Sequence, residues 1–416
     1  MGVRYLNTLI KRLAPGGLKP VQLCDFSGKR IVVDTSIYLH KFLAANSLVE
    51  SMYFMIAQFK YFSITPIFVF DGIAPAEKQG VLNSREYVRE SARQKYNQLS
   101  EVLNTEIQLQ LQSQESPCDD AIEGGSENVN DESGLAHDVS NLQQQMRSLK
   151  RRFIRISNSE VSEIKRLMRE FDVTYIESDG ESDALCAYLV KTNLADACMS
   201  DDMDMFIYGC PVVLRHVNIW HGTGVQYTLP VILEELQVSL HEFRMVCILS
   251  GTDYNTICNP GDTQTKIEDT NEHEHEHEHD PSVIDEIIQI QSCKPIRLRF
   301  YLSTLINIIR DYYRSKTDSC SSCQSQFQSN EFDVDCYNSI IETHKKHVSV
   351  TSKNIYLTQL MFERAYAIFS SDPSNEMKEQ IRTTLYSSNS CTAPPSPYEI
   401  PHKVKRIMAK YNFIYI

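Results

Sequence analysis

Acidic side chains follow several short apolar stretches of this 416-residue sequence. Asp34 ends the run RIVVD, Asp71 follows PIFVF, and the acidic group at residues 201–204 follows ADACMS. Carboxylate oxygens are the ligands that Mg²⁺ prefers, often one or two per ion together with water and substrate phosphate. Two such ions about 3.5–4 Å apart can activate a water molecule and stabilise the leaving oxygen in phosphodiester hydrolysis. The acids therefore predict metal-dependent phosphodiester chemistry.

Further acids extend this pattern. Glu181 and Asp183 lie two residues apart in GESDALCAYL, at the start of a predicted helix whose dipole tolerates negative charge. Asp253 lies in LSGTDYN. About seven carboxylates gathered without metal would raise one another's pKa and resist shared burial. Any single acid is explained equally well as a helix N-cap or a turn residue, but the repeated placement after strands favours a metal site.

The elements that must position these acids alternate between strand and helix. Short apolar, β-branched runs predict buried strands, and amphipathic stretches predict the helices between them. The predicted strands are Arg30–Asp34, Pro66–Asp71, Val173–Ile176, Ala195–Ser200, Val212–Arg215 and Val225–Leu229. Alternating strands and helices predict an α/β sheet covered on both faces, in which ligands collect beyond the carboxyl ends of the strands.

Composition divides the chain into five segments. We predict an N-terminal region, 1–100, with a polar helix over 75–100, and an internal region, 149–258, that together carry the acids. Residues 101–148, rich in acids, Gln and Ser, and the acidic, His-rich residues 259–286 are predicted to be flexible inserts. Residues 287–416 are predicted to be helical, with helices over 296–314 and 354–370, and have no predicted role.

The net charge of −13 is unusual for a protein that would bind phosphates. Residues 101–138 hold ten acidic and no basic residues, and residues 262–286 hold ten acidic and one basic. Without these two stretches the remainder of the chain carries a charge of about +6. A mildly basic body can therefore still bind nucleic acid.

Other bulk features place the chain inside the cell. No apolar run reaches the ~20 residues of a membrane span, and the N-terminus lacks the apolar core of a signal peptide. The twelve cysteines follow no disulfide framework, which fits a reducing compartment. We expect a nuclear or cytoplasmic protein with no membrane partner.

Two further patterns resemble metal sites but are not included among the predicted ones. The run EHEHEHEH at 272–279 contains imidazoles that suit transition metals, although a solvated low-complexity spacer is the favoured interpretation. Cys320 and Cys323 form a CxxC without a second pair at zinc-finger spacing. Neither pattern is expected to serve the chemistry of the acids.

Several motifs occur in an order that identifies a family. They are MGV at the N-terminus, RIVVDTSIYLHKFL, PIFVFDG followed by KQGVLNSR, GESDALCAYL, SDDMDMFIYGCPVVLRHV and CILSGTDYN. Over roughly residues 1–255, outside 101–145, the sequence resembles the flap endonuclease and XPG-type structure-specific nucleases. The resemblance implies a PIN-like α/β nuclease fold with a mostly parallel twisted sheet, helices on both faces, a helical gateway or arch insertion and a helical C-terminal region.

The resemblance also implies a role for individual residues. Two Mg²⁺ ions, which Mn²⁺ can replace, would be held by the family's acids, which fall here on Asp34, Asp71, Glu181, Asp183, Asp202, Asp204 and Asp253. The family usually has Glu where this chain has Asp183. Lys78 and Arg85 match the gateway Lys and Arg that hold the scissile phosphate, and seven residues in one helix would place both on one face. His40 matches a base-stacking aromatic position, and Gly2 matches an N-terminal glycine near the DNA.

Three departures leave the substrate open. The stretch between Ala45 and Pro66 is shorter than in the family, where it helps to open a DNA junction. The Gly-rich hairpin that grips duplex DNA is absent after GTDY, and no sliding-clamp peptide ends the chain. The favoured hypothesis is a monomeric 5′-flap endonuclease acting on DNA in replication, repair or recombination. The alternatives are a 5′–3′ exonuclease, a ribonuclease on the same scaffold, and a catalytically silent nucleic-acid-binding factor. The departures are compatible with a divergent member, including a viral one that works where viral DNA is replicated.

Overall fold

A computed structural model describes residues 3, 5–114, 142, 144–254, 302–319, 331–344, 352–387 and 401–411. The chain divides into two compact units. The first comprises Met1–Val81 with Ser157–Ile416, and the second comprises Leu82–Ile156. All seven predicted metal-binding acids belong to the first unit.

A seven-stranded sheet forms the centre of the first unit. Its strands are β1 Leu18–Gln22, β2 Arg30–Asp34, β3 Thr65–Phe70, β4 Thr174–Glu177, β5 Ala197–Met199, β6 Val212–Asn218 and β7 Thr223–Thr228. Their order across the sheet is β1-β7-β6-β5-β2-β3-β4. Neighbouring strands from β6 to β4 pair in parallel, whereas β7 is antiparallel to both β6 and β1. The predicted mostly parallel sheet is confirmed.

Helices follow most of these strands. They are α1 Leu6–Leu13, α2 Thr35–Ala44, α3 Leu48–Tyr61, α4 Gln79–Gln114, α5 at 144–153, α6 Asn158–Glu170, α7 Ser182–Lys191, α8 Asp204–Ile207, α9 Leu229–Leu236, α10 Leu240–Ser250, α11 Leu302–Ser319, α12 Val334–His344, α13 Ser352–Ser370, α14 Asn375–Ser387 and α15 His402–Ala409. No helix in the described part of the chain is long and apolar enough to cross a membrane.

Both faces of the central strands β2, β3 and β5 are buried. Ile67 on β3 lies in the main hydrophobic core with Leu189 of α7 and Val246 of α10. The next residue, Phe68, points to the opposite face and contacts Phe59 of α3, with 6.4 Å between the ring centroids. Successive strand residues point to opposite faces, so a run of fully buried residues requires helices on both sides. The predicted fold class is confirmed in this respect.

The C-terminal helices belong to the same core. Ile306 of α11, Tyr337 of α12 and Phe369 of α13 are fully buried in one cluster with Leu189 of α7. The predicted helices over 296–314 and 354–370 are confirmed where those residues are described. This part of the chain therefore shares a hydrophobic core with the sheet.

The predicted flexible insert is wrong at its start. Helix α4 continues from Gln79 to Gln114, and residues 144–153 are helical as well. Leu, Glu and Gln, which dominate 101–114, have high helix propensity, so a composition interpreted as disorder extends a helix instead. In this second unit Tyr96 of α4 contacts Phe153 of α5, with 5.4 Å between the ring centroids. The predicted insert at 259–286 lies outside the described residues.

Candidate metal centre

The carboxyl ends of four parallel strands bring acidic residues to one edge of the sheet. Asp34 is the last residue of β2, and Asp71 directly follows β3. Glu181 lies in the loop after β4, and residues 200–204 follow β5. Because these strands run in the same direction, their carboxyl ends meet at the same edge. The recurrence of acids after strands thus becomes a cluster in space.

Asp34 is the buried centre of this cluster, with 2% of its surface exposed. Its Oδ1 accepts a hydrogen bond from the Ser182 hydroxyl at 3.1 Å, and its Oδ2 accepts one from the Ser200 hydroxyl at 3.0 Å. Asp34 precedes α2 but makes no side-chain cap hydrogen bond to that helix. Burial, followed by repulsion from Asp71, raises the pKa of Asp34 to about 7. The helix-cap explanation therefore fails for this acid.

The start of α7 brings a second group of acids to the same edge. Asp71 Oδ1 accepts a hydrogen bond from the Ser182 backbone N–H at 2.9 Å. Asp183 lies in the first turn of α7, and its pKa is raised well above the ordinary value. Burial is the largest cause, and the neighbouring carboxylates that add to it are Asp34, Asp202, Asp204 and Glu181. These acids therefore interact electrostatically with one another.

The turn after β5 contributes Asp202 and Asp204. The Ser200 hydroxyl accepts from the Asp202 N–H, and Asp202 Oδ1 accepts from the Asp204 N–H, both at 3.1 Å. Burial, followed by repulsion from Asp202 and Asp253, raises the pKa of Asp204 well above its ordinary value. Asp204 Oδ1 is buried and has no hydrogen-bond partner within the described residues. A buried carboxylate oxygen of this kind is a natural place for a cation.

The last acid lies after α10. Gly251 has a φ of +105° and ends that helix, a conformation that L side chains rarely adopt. The turn places Asp253 Oδ2 4.0 Å from the Lys78 Nζ. The neighbouring Tyr254 donates its hydroxyl to Glu181 Oε2 and is itself hydrogen-bonded to the Tyr208 hydroxyl at 2.7 Å.

Lys78 brings the protein's own positive charge into the cluster. Its Nζ donates to Glu181 Oε1 and lies over the Tyr254 ring, 5.7 Å from the centroid. Burial alone would lower the pKa of Lys78, but Glu181, Asp183 and Asp253 raise it above the ordinary value. Lys78 ends the 3₁₀ turn Ala76–Lys78 that precedes α4. The prediction that Lys78 and Arg85 share one helix is therefore wrong, because only Arg85 lies in α4.

The structure places the remaining predicted residues elsewhere or does not describe them. Arg85 belongs to the second unit. His40 is exposed on α2, and its predicted stacking role stays a prediction. Gly2, the CxxC at 320–323 and the run at 272–279 lie outside the described residues. Sequence reasoning missed Ser182, Ser200, Tyr208 and Tyr254, although Ser182, Ser200 and Tyr254 stand beside predicted acids.

The donor set fits hard divalent cations. Seven carboxylates with neither Cys nor His among them suit Mg²⁺ or Mn²⁺ better than zinc. Burial, and after it repulsion between neighbouring carboxylates, raises the pKa values of Asp34, Asp183 and Asp204, and a bound cation would relieve that repulsion. Within the described ranges, no three His, Cys, Asp or Glu side chains are arranged closely enough to hold one metal ion together. Lys78 instead occupies part of the cluster.

Comparisons with known proteins agree with this class of site. The family models "XPG N-terminal domain" and "XPG I-region" match residues 1–92 and 172–253, which include all seven acids and Lys78. A flap endonuclease 1 of Enterocytozoon bieneusi is 26% identical over 272 residues, which are 61% of this chain and 65% of that relative. A flap endonuclease 1 of Debaryomyces hansenii is 28% identical over 273 residues, which are 61% of this chain and 62% of that relative. The match thus spans slightly less than two thirds of these relatives.

Among solved structures, the catalytic core of Rad2 in complex with DNA substrate covers 98% of this chain and 99% of its own, at 16% identity and a TM-score of 0.49. The fold and the acidic edge define an α/β protein with a candidate carboxylate metal centre. The chain carries matches to the XPG N-terminal domain and the XPG I-region and is similar to flap endonucleases of the XPG type.

Proposed function

We propose that this chain is a divalent-metal-dependent, structure-selective nuclease that hydrolyses DNA phosphodiester bonds near single-strand/duplex junctions, as a 5′-flap endonuclease does. The observation that carries the proposal is the convergence of seven acids on one sheet edge, three of them with pKa values raised by burial and mutual repulsion. A cluster of this kind is costly for a protein that does not bind cations there.

The proposed metal complement is two Mg²⁺ ions, with Mn²⁺ as a substitute. Following the family resemblance, Glu181, Asp183 and Asp34 hold chiefly one ion. Asp202, Asp204 and Asp253 hold chiefly the other, and Asp71 orients bound water. When bound, such ions supply an activated water and stabilise the leaving oxygen.

The chain's own residues prepare this site. Ser182 and Ser200 fix both oxygens of Asp34, which keeps the carboxylate from turning away when its charge is neutralised. Lys78 has a raised pKa and stays protonated at neutral pH, so it supplies a fixed positive charge beside Glu181. In the proposed reaction this charge binds the scissile phosphate and stabilises the negative charge that develops on it. Arg85 is proposed to assist from α4.

The substrate and setting are part of the same proposal. The relatives named flap endonuclease 1 support a flap as the substrate. We propose that the flap is DNA and that the protein acts in replication, repair or recombination, in the nucleus or the cytoplasm. Because recognition of the 2′-hydroxyl distinguishes RNA from DNA, a matched RNA flap is the necessary comparison. We propose that the protein acts as a monomer, and nothing in its sequence calls for a sliding clamp.

The test is a substrate panel cut by purified protein. End-labelled 5′-flap, nicked, bubble, four-way-junction and RNA-flap substrates are incubated with Mg²⁺, Mn²⁺ or EDTA. We expect metal-dependent cutting close to the junction of the DNA flap. Preferential cutting of the RNA flap would move the assignment to a ribonuclease, and stepwise release of nucleotides from a 5′ end would move it to an exonuclease. Tight binding of every substrate without cutting would contradict the nuclease proposal.

A further inference from the structure

The C-terminal helices reach the metal centre through an aromatic contact. Phe369, near the end of α13, is fully buried against two tyrosines of the site. Its ring centroid lies 4.8 Å from that of Tyr208 and 5.0 Å from that of Tyr254, with the rings at steep angles. Tyr254 in turn donates its hydroxyl to Glu181 Oε2. One C-terminal side chain therefore packs against the residues that fix a predicted metal ligand.

The two tyrosines form a directed pair of hydrogen bonds. Because the Tyr254 proton is donated to Glu181, the 2.7 Å contact between the hydroxyls requires Tyr208 to donate to Tyr254. Both tyrosines are at most 5% exposed, so water does not replace these bonds easily. Tyr208 also follows α8, the short helix that starts with Asp204. The pair thus joins the Glu181 and Asp204 sides of the cluster.

A second C-terminal contact supports the loop that carries Glu181. The Ser374 hydroxyl donates to Asp179 Oδ2 at 2.8 Å. The same loop has a second contact, since the Gly72 N–H donates to the Gly180 carbonyl at 2.7 Å. The segment between α13 and α14 therefore holds a loop whose far end bears a predicted ligand.

The first turn of α14 also contacts α7, the helix that begins beside Glu181. Lys378 lies over the Tyr188 ring at 5.6 Å from its centroid, and it pairs with Asp372. Asp372 is also 3.8 Å from Lys191 at the end of α7. Residues 369–378 therefore contact both α7 and the loop that carries Glu181.

We propose that residues 369–378 are positioning residues for the metal centre: Phe369 and Ser374 hold Tyr254 and the Glu181 loop so that Glu181 faces the other acids. This inference rests on the proposed function, and it gives the C-terminal region a task for which its sequence offered no motif. Groups that orient metal ligands typically change metal affinity by about 10–100-fold when removed. Loss of Phe369 packing should therefore lower the affinity for metal, in addition to any loss of folding stability.

The chain offers a matched control on the same helix. Phe362 is also buried on α13, but it packs against Phe332 and Tyr337, away from the acids. Phe369→Leu and Phe362→Leu make the same chemical change and cost similar packing energy. Tyr254→Phe is the second test variant, because it removes only the hydroxyl that bonds Glu181 and Tyr208 and keeps the ring against Phe369.

The experiment measures Mn²⁺ binding to the full-length protein by calorimetry, together with the Mg²⁺ concentration for half-maximal cleavage. We expect Phe369→Leu and Tyr254→Phe to weaken Mn²⁺ binding about tenfold and to shift the Mg²⁺ requirement equally, with most of the rate recovered at saturating Mg²⁺. Phe362→Leu should lower the melting temperature without changing either metal value. Equal Mn²⁺ affinity in all three variants and the wild type would overturn the positioning role alone. Absence of Mn²⁺ binding by the wild type would overturn the proposed function as well.

Discussion

The Ser182 hydroxyl donates a hydrogen bond to Asp34 Oδ1 at 3.1 Å, which joins the start of α7 to the end of β2. This bond lowers the pKa of Asp34, which burial and neighbouring acids raise to about 7. Ser182→Ala should therefore raise that pKa further, so that protons compete better with metal at Asp34. We expect Mn²⁺ affinity to fall several-fold at pH 6.5 and to approach the wild-type value at pH 8.5, as measured by calorimetry.

The control for this change is Ser51→Ala, which removes a buried hydroxyl of α3 that bonds Ser47 instead of an acid. Its Mn²⁺ affinity should follow the wild type at both pH values. A Ser182→Ala deficit that is the same at pH 6.5 and 8.5 would contradict the link between this hydroxyl and the protonation of Asp34.

Asp34 itself predicts how the metal-free protein responds to pH. Its folded-state pKa of about 7 exceeds the ordinary Asp value of 3.8, so the folded state binds the proton more tightly than the unfolded state does. Its contribution to stability is present below about pH 4 and is lost as the pH rises through about 7. The change in the free energy of unfolding that Asp34→Asn causes in EDTA should therefore be more favourable at pH 8 than at pH 4.5, by up to about 3 kcal/mol. Urea unfolding of the wild type and the variant at both pH values measures this change. A stability difference between the two proteins that is the same at pH 8 and pH 4.5 would count against a raised pKa of Asp34.

Gly72 predicts a backbone requirement beside the metal centre. A Cβ at this position would lie 2.0 Å from the Ser178 carbonyl oxygen, so the loop leading to Glu181 would have to move. Gly72→Ala should weaken Mn²⁺ binding at least several-fold. Gly180→Ala is the matched control in the facing loop, because a Cβ there meets its nearest atom at 4.0 Å. Similar Mn²⁺ affinities for the two variants would show that this close approach is unimportant.

His241 predicts a loss of stability in acid that is independent of metal. Its Nδ1 lies 2.6 Å from the Tyr366 hydroxyl and its Nε2 lies 2.9 Å from the Tyr313 hydroxyl. Tyr313 donates to Asp333, so it accepts from Nε2–H, and Tyr366 donates to Nδ1 of a neutral ring. Burial lowers the pKa of His241, so its contribution is present above about pH 6.5 and lost as the pH falls below that value.

The measurement compares urea unfolding of the wild type and His241→Gln at pH 7.5 and pH 5.5. We expect the variant to be less stable at pH 7.5 and the difference between the two proteins to narrow at pH 5.5. A difference that widens in acid would mean that the histidine is stabilised in its protonated form.

The local sequence pattern was sufficient to predict a strand where the residues of one segment determine it. RIVVD is β2 residue for residue, and the acids after β2, β3 and β5 stand where parallel strands place them. Strand β1 was missed because LKPVQ shows no apolar alternation. Among the described strands it pairs with β7 alone and forms the edge of the sheet, where Pro20 is tolerated.

The partners of the acids could not be read from the sequence. Ser182 and Ser200 are ordinary polar residues until the fold brings both to Asp34, across separations of 148 and 166 residues. Phe369 gave no signal, because its contacts with Tyr208 and Tyr254 depend on how α13 packs against the rest of the first unit. The acids themselves could be predicted, because Asp and Glu are recognisable as metal ligands from their residue type and their position after strands.

Single-turnover cleavage of 5′-flap DNA tests the central claim most directly. The comparison is the wild type against the double variant Asp202→Asn/Asp204→Asn, each in Mg²⁺ and in EDTA, with DNA binding measured in Ca²⁺. We predict that the wild type cuts at the junction only with Mg²⁺, and that the variant binds the flap but is slower by several orders of magnitude. Cleavage that persists in EDTA, or that the double variant performs at the wild-type rate, would contradict a mechanism based on these carboxylates.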